Sequence, residues 1–151
     1  MITKAQLKKM HVLLNRVGIM HIKRKIVEEY SLGRVTSSKD LTKKEASDII
    51  RQLEYSLKWQ ETRNKIFKIA IETGVIWWDF ELDKEDDELV IYEQLNLFMK
   101  RRGTIKKDID EMDLSELNRV HRQFLAIKKS HSKTKFNKEL KSVLTEIGIG
   151  I

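Results

Sequence analysis

The chain predicts an all-α fold, and three observations carry that expectation. It holds no proline and only six glycines in 151 residues, and a proline inside a helix costs about 3 kcal/mol. Its apolar residues recur three and four positions apart rather than alternating, which is the helical period. Two T-x-x-[EQ] sequences, Thr3 with Gln6 and Thr42 with Glu45, are capping boxes in which each side chain satisfies a backbone N–H of the first turn. The expected architecture is a compact multi-helix protein of two similar small helical halves plus a C-terminal helix. Its boundaries fall at 1–58 (basic N-terminal half), 59–127 (second half with an acidic connection) and 128–151 (basic tail and terminal amphipathic helix).

The first helix opens at the Thr3 cap, places Leu7, Met10, Leu13, Leu14 and Val17 on one arc, and stops at Gly18. A second helix is expected from Met20 to Leu32, ended by Gly33. Lys23 falls in the middle of its apolar arc, which leaves three explanations: the stem snorkels to water, the helix begins later, or Lys23 is held for a partner. The third helix starts at the Thr42 cap, behind the stapling Leu41, and commits Ala46, Ile49, Ile50, Leu53 and Leu57 to a core. Lys44, Arg51 and Lys58 stand seven residues apart on its outer face, with Tyr55 beside them.

Trp59 and Gln60 mark a junction before a fourth helix built on Ile66, Ile69 and Ala70 and ended by Gly74. Trp77 and Trp78 follow, an aromatic pair read either as core or as a platform for a base or a partner. Residues 79–88 carry seven acids and one lysine. They lack the central glycine of a calcium loop, and they read as Asp83 capping a helix whose first-turn acids suit the helix dipole. That helix ends in Lys100, Arg101, Arg102 and Gly103. Asp113-Leu114-Ser115 then echoes Asp40-Leu41-Thr42, with Ser115 as the cap and Asn118 where a box would place Glu or Gln. Leu117, Val120, Phe124 and Leu125 form the core face behind it. The polar run 128–135 is expected to be flexible, ahead of a final helix carrying Phe136, Leu140, Val143, Leu144 and Ile147.

Charge narrows the function classes. The net charge is +7 and the isoelectric point near 9.5, a balance that favours an anionic partner such as nucleic acid. Residues 1–60 hold 13 Lys/Arg against 6 Asp/Glu, 61–103 hold 7 against 10, and 104–151 hold 10 against 7. Lys8, Lys9, Arg16, Lys44, Arg51 and Lys58 are therefore the candidate phosphate contacts. Trp77, Trp78, Phe136, Leu140 and Leu144 are the candidate partner contacts. With no cysteine there is no thiolate chemistry. His11, His21, His121 and His131 show no ligand spacing, and no glycine-rich phosphate loop or nucleophile elbow occurs. No enzyme, cofactor or metal is implied. No apolar run reaches the roughly 20 residues a membrane span needs, so no membrane partner and a cytoplasmic location are expected. The sequence assigns no oligomeric state.

Several stretches resemble the GemA-type regulatory proteins of Mu-like phages and prophages. They are Ile2-Thr3-Lys4-Ala5-Gln6, His11-Val12-Leu13-Leu14 with Gly18, and Ser37-Ser38-Lys39-Asp40-Leu41-Thr42 with Glu45-Ala46 and Ile49-Ile50. In the second half, Arg63, Ile66, Ala70 and Gly74, and then Leu95, Phe98, Lys100 and Arg101, fit as well. The resemblance implies a phage-encoded, nonenzymatic modulator of host gene expression associated with transcription and DNA topology, and it brings no catalytic residue. It leaves two modes of action: contact with DNA or a DNA-bound complex, or an adaptor docking onto a host replication, recombination or transcription protein.

Overall fold

A computed structural model describes residues 1–76, 84–146 and 148. Among these the chain is entirely helical, as its composition predicts. Five α-helices occur, α1 (Lys4–Val17), α2 (Lys23–Tyr30), α3 (Lys43–Glu72), α4 (Lys84–Arg102) and α5 (Leu114–Glu146), with 3-10 turns at Met20–Ile22, Ser38–Asp40 and Ile109–Glu111. The chain divides into two compact units, Met1–Glu61 and Thr62–Ile151.

In the first unit, Thr3 and Gln6 form the expected capping box, and Gly18 ends α1 at φ 81°, a left-handed conformation that costs glycine nothing. The second helix begins at Lys23, later than Met20, because residues 20–22 wind as a 3-10 turn. Lys23 is thus the first residue of α2, half-buried at the end of the arc of Ile26, Val27 and Tyr30. α2 ends at Tyr30. Leu32 takes φ 53° and is 95% exposed, while the Ser31 hydroxyl binds the Val35 carbonyl and amide and pins the loop. Met10, Leu13, Leu14, Val27, Leu41, Ile49, Ile50 and Leu53 close one core. Burying such a side chain contributes about 1.5–3 kcal/mol, so this set outweighs any surface ion pair.

Glu45 accepts the Thr42 amide at 2.7 Å and donates its own amide to the Thr42 hydroxyl at 3.2 Å. Arg34 clamps the Glu45 carboxylate with contacts of 2.7 and 2.9 Å, tying the preceding loop to the box. α1 and α3 run parallel, since Gln6 reaches Ser47, Lys9 reaches Glu54 and Arg16 reaches Glu61, contacts that advance the same way along both helices.

Two expected breaks are absent. Trp59 and Gln60 lie inside α3, so the third and fourth predicted helices are one helix of 30 residues. Nothing at that point removes a backbone hydrogen bond, and Leu57 and Ile66 change which core the apolar face serves without interrupting the period. Likewise 128–135 is helical, and the terminal helix is the continuation of α5. A run of Lys, Ser and Thr is polar, but it contains no helix breaker.

The second unit buries Ile66, Ile69 and Ala70 on α3, Leu95 and Met99 on α4, Ile109 and Met112 before α5, and Leu117, Val120 and Phe124 on α5. Phe98 and Phe124 meet edge to face at 5.5 Å. The cap of α5 is Asp113 rather than Ser115: the Glu116 amide donates to the Asp113 carboxylate at 2.8 Å, and the Asp113 amide donates to Glu116 at 3.1 Å. A carboxylate accepts that bond as well as a hydroxyl does, and Glu116 stands three residues on, where the box needs it.

Moving the cap to Asp113 aligns the two joints, and the helices that follow them, without a gap. In each, a 3-10 turn leads to a buried residue (Leu41, Met112), a capping box (Thr42 with Glu45, Asp113 with Glu116), and buried residues at matching positions: Ala46, Ile49 and Leu53, then Leu117, Val120 and Phe124. A basic side chain braces each box glutamate, Arg34 in one and Lys107, at 2.8 Å, in the other. Upstream, Met10, Leu13, Leu14 and Gly18 correspond in spacing to Ile66, Ile69, Ala70 and Gly74, and both glycines have positive φ.

Candidate nucleic-acid interface

Lys8, Lys9, Arg16, Lys44, Arg51 and Lys58 are all exposed, and all belong to the first unit. Lys44, Arg51 and Lys58 lie on one line of α3 because seven residues are nearly two turns. Glu54 and Glu61 share a neighbouring line that meets Lys9 and Arg16 of α1. The six bases therefore flank the seam where parallel α1 and α3 face outward, with Lys8 on one side and the α3 line on the other.

Ion pairing divides them. Lys9 holds Glu54 at 2.6 Å, Arg16 approaches Glu61 at 3.7 Å, and Arg51 pairs with Asp48 on its own helix. Lys8 and Lys44 make no ion pair among the described residues. Exposed pairs of this kind contribute at most about 1 kcal/mol to stability, yet each carboxylate cancels a positive charge that a phosphate would otherwise meet. Three of the six bases, Lys9, Arg16 and Arg51, are thus partly compensated on the protein itself.

His11 stands behind this face. Its Nε2 lies 3.4 Å from the hydroxyl of buried Ser38, and burial, with Lys23 nearby, holds its pKa below the ordinary 6.5. Ser38 belongs to the Ser37-Ser38-Lys39-Asp40-Leu41-Thr42 stretch, which is thereby anchored to α1. The Ile2 amide also donates to the Leu41 carbonyl at 2.7 Å. These contacts make the stretch a joint of the fold.

Of the candidate partner contacts, Trp77 and Trp78 lie outside the described residues, as do residues 79–83 of the acidic connection with the proposed Asp83 cap. Phe136 and Leu140 project from the distal part of α5 at 62% and 45% exposure, whereas Leu144 is half-buried. Val143, at 53% exposure, completes the apolar strip and is absent from the sequence-based candidates. Its spacing from Phe136 and Leu140 was the available signal.

The clefts of the second unit are shallow and open. One of about 470 Å³ is walled by Phe67, Ile71, Leu89 and Tyr92. Its Arg63 is held by Asp110 at 2.9 Å and covers the Phe67 ring at 4.6 Å, so that guanidinium is already engaged by a carboxylate and a ring. Among the described residues no group of three or more metal-ligating side chains converges, and no helix is long and apolar enough to cross a membrane.

No family model, curated protein or solved structure matches this chain.

Proposed function

We propose that this chain is a nonenzymatic regulatory protein of the Mu-like phage GemA type, modulating host gene expression through contact with DNA or a DNA-bound complex. The observation that carries this reading is the gathering of all six candidate bases on one outward face of the first unit. The sequence resemblance and the basic net charge support it. Neutralising phosphates releases counterions, so affinity falls with salt at a slope of about 0.9 per phosphate. Two phosphates, met by Lys8 and Lys44 alone, give a slope of about 1.8, so duplex affinity should drop at least about 12-fold between about 50 and 200 mM salt. Fluorescence anisotropy of labelled duplex across that range tests it. K8E/K44E, which breaks no ion pair, should weaken binding at every salt concentration, and absence of binding at low salt would sink the reading.

The exposed Phe136, Leu140 and Val143 favour a second reading, an adaptor that docks onto a host DNA-processing or transcription protein. Under that reading, pull-down from nuclease-treated host lysate retains a discrete partner, and removing residues 136–151 releases it. A partner that survives the truncation counts against this strip.

A further inference from the structure

The register of the duplicated joint locates a second basic face. With Asp113 matched to Thr42, the α3 line Lys44, Arg51, Lys58 corresponds to Ser115, Arg122 and Lys129 on α5, so two of the three bases recur. The acids that temper the first face do not. Asp48 is replaced by Arg119, Glu54 by Leu125 and Glu61 by Ser132. Lys65, in the position of Lys9, therefore has no glutamate opposite it.

The sequence of α5 agrees independently of that alignment. From Leu117 to Lys138 there is no acidic residue, and seven Lys/Arg occur in 22 residues, spread over about 33 Å of continuous helix. Of these seven, Lys128 alone is in an ion pair among the described residues, with Glu72 at 2.8 Å. Arg119, Arg122 and Lys129 are exposed and fall on one side of the helix, with Lys133 one turn beyond Lys129. The Arg122 guanidinium lies back along its own helix, 3.4 Å from the Asn118 carbonyl. Lys65 stands close enough to His121 that its charge adds to burial in lowering the pKa of that ring, which places an α3 base beside the α5 line.

We infer that the second unit carries its own phosphate-binding face, formed by Lys65, Arg119, Arg122, Lys129 and Lys133, which engages the nucleic-acid backbone more strongly than the first. A protein partner with an acidic surface is the competing occupant. The geometry favours a nucleic-acid backbone because the bases extend along a straight helix with little apolar area among them beyond Leu125, whereas protein interfaces centre on buried apolar or aromatic anchors. This inference rests on the nucleic-acid reading above and adds that the chain has two phosphate-binding faces of unequal charge.

The experiment is anisotropy of the full chain with labelled duplex DNA, comparing R119E/R122E/K129E with K8E/K44E, and with polyglutamate as a second polyanion. The three side chains are exposed, so circular dichroism and the melting temperature should match wild type. The triple variant should lose more than tenfold in duplex affinity and flatten the salt slope by about 2.7, a larger change than K8E/K44E produces. R119K/R122K should retain binding, since charge rather than guanidinium shape is required. Wild-type affinity and slope in a folded triple variant overturn the inference while leaving the first face standing. Polyglutamate bound as tightly as DNA overturns it in favour of an acidic protein. Wild-type chain that binds no DNA at low salt removes both readings together.

Discussion

At the scale of single residues, His11 and His121 are shifted alike, although the register of the two joints sets His121 against Ile50. Each imidazole is pushed below its ordinary pKa of 6.5, first by burial and then by one ammonium, Lys23 or Lys65. The folded protein therefore binds these protons less readily than the unfolded chain does. Stability is fully present above the unfolded value and falls as pH drops below about 6.5. Glu45, Glu72 and Glu116 are also shifted down, Glu45 chiefly by the Thr42 amide and Glu72 and Glu116 chiefly by lysine partners. Their contribution survives that first decline and disappears only as pH falls through the carboxylate range. Thermal melts should show a first decline in melting temperature between about pH 7 and 5.5 that H11Q/H121Q flattens, and a second at lower pH that it does not. An unchanged profile in the double variant would assign the first decline elsewhere. Leu32 is a different case, since positive φ costs a leucine about 1–2 kcal/mol and exposure returns nothing. L32N should raise the melting temperature by several degrees, measured by the same melts, because asparagine tolerates the left-handed region.

At the scale of elements, α3 and α5 are longer than a pattern-based reading makes them, and the reasons differ. α3 is continuous because its apolar face passes from Leu53 and Leu57 to Ile66 and Ile69 without a breaker. α5 is continuous although burial stops at Phe124 and Ile127 is the last half-buried residue before Leu144. Proline scanning separates the two situations. Q60P, in the middle of α3, should cost about 3 kcal/mol or more and broaden or lower the melt of the whole chain. S132P, in α5 beyond the core, should reduce helical ellipticity yet leave the melting temperature nearly unchanged, because no core contact depends on that turn. Equal losses of stability would mean that distal α5 is packed as firmly as central α3.

At the scale of the whole molecule, the two units share one design, in which a braced capping box behind a 3-10 turn aims a long helix at a small core. Much of this was legible: the all-helical class, the Thr3 and Thr42 boxes, the glycines that end α1 and α3, and the exposure of all six candidate bases. Less legible was the second joint. Reading Ser115 as the cap shifted the echo by two residues, set Leu117 and Phe124 against Lys44 and Arg51, and hid Arg122 and Lys129 as counterparts of Arg51 and Lys58. Serine and aspartate are both good caps, so local preference did not choose between them. The choice came from Met112, whose burial at 3% exposure fixes where the helix begins. Asp48, Glu54 and Glu61 show the same division, since their presence is plain in the chain but their pairing with Arg51, Lys9 and Arg16 depends on which helix edge lies alongside.

By itself, then, the sequence determined what depends on neighbours within a turn or two: helical class, caps, left-handed glycines and the sign of each face. Tertiary structure decided where helices truly begin and end and which charges remain uncompensated. Those outcomes depend on side chains far apart in the chain being buried or brought within a few ångströms, and local periodicity carries no record of that.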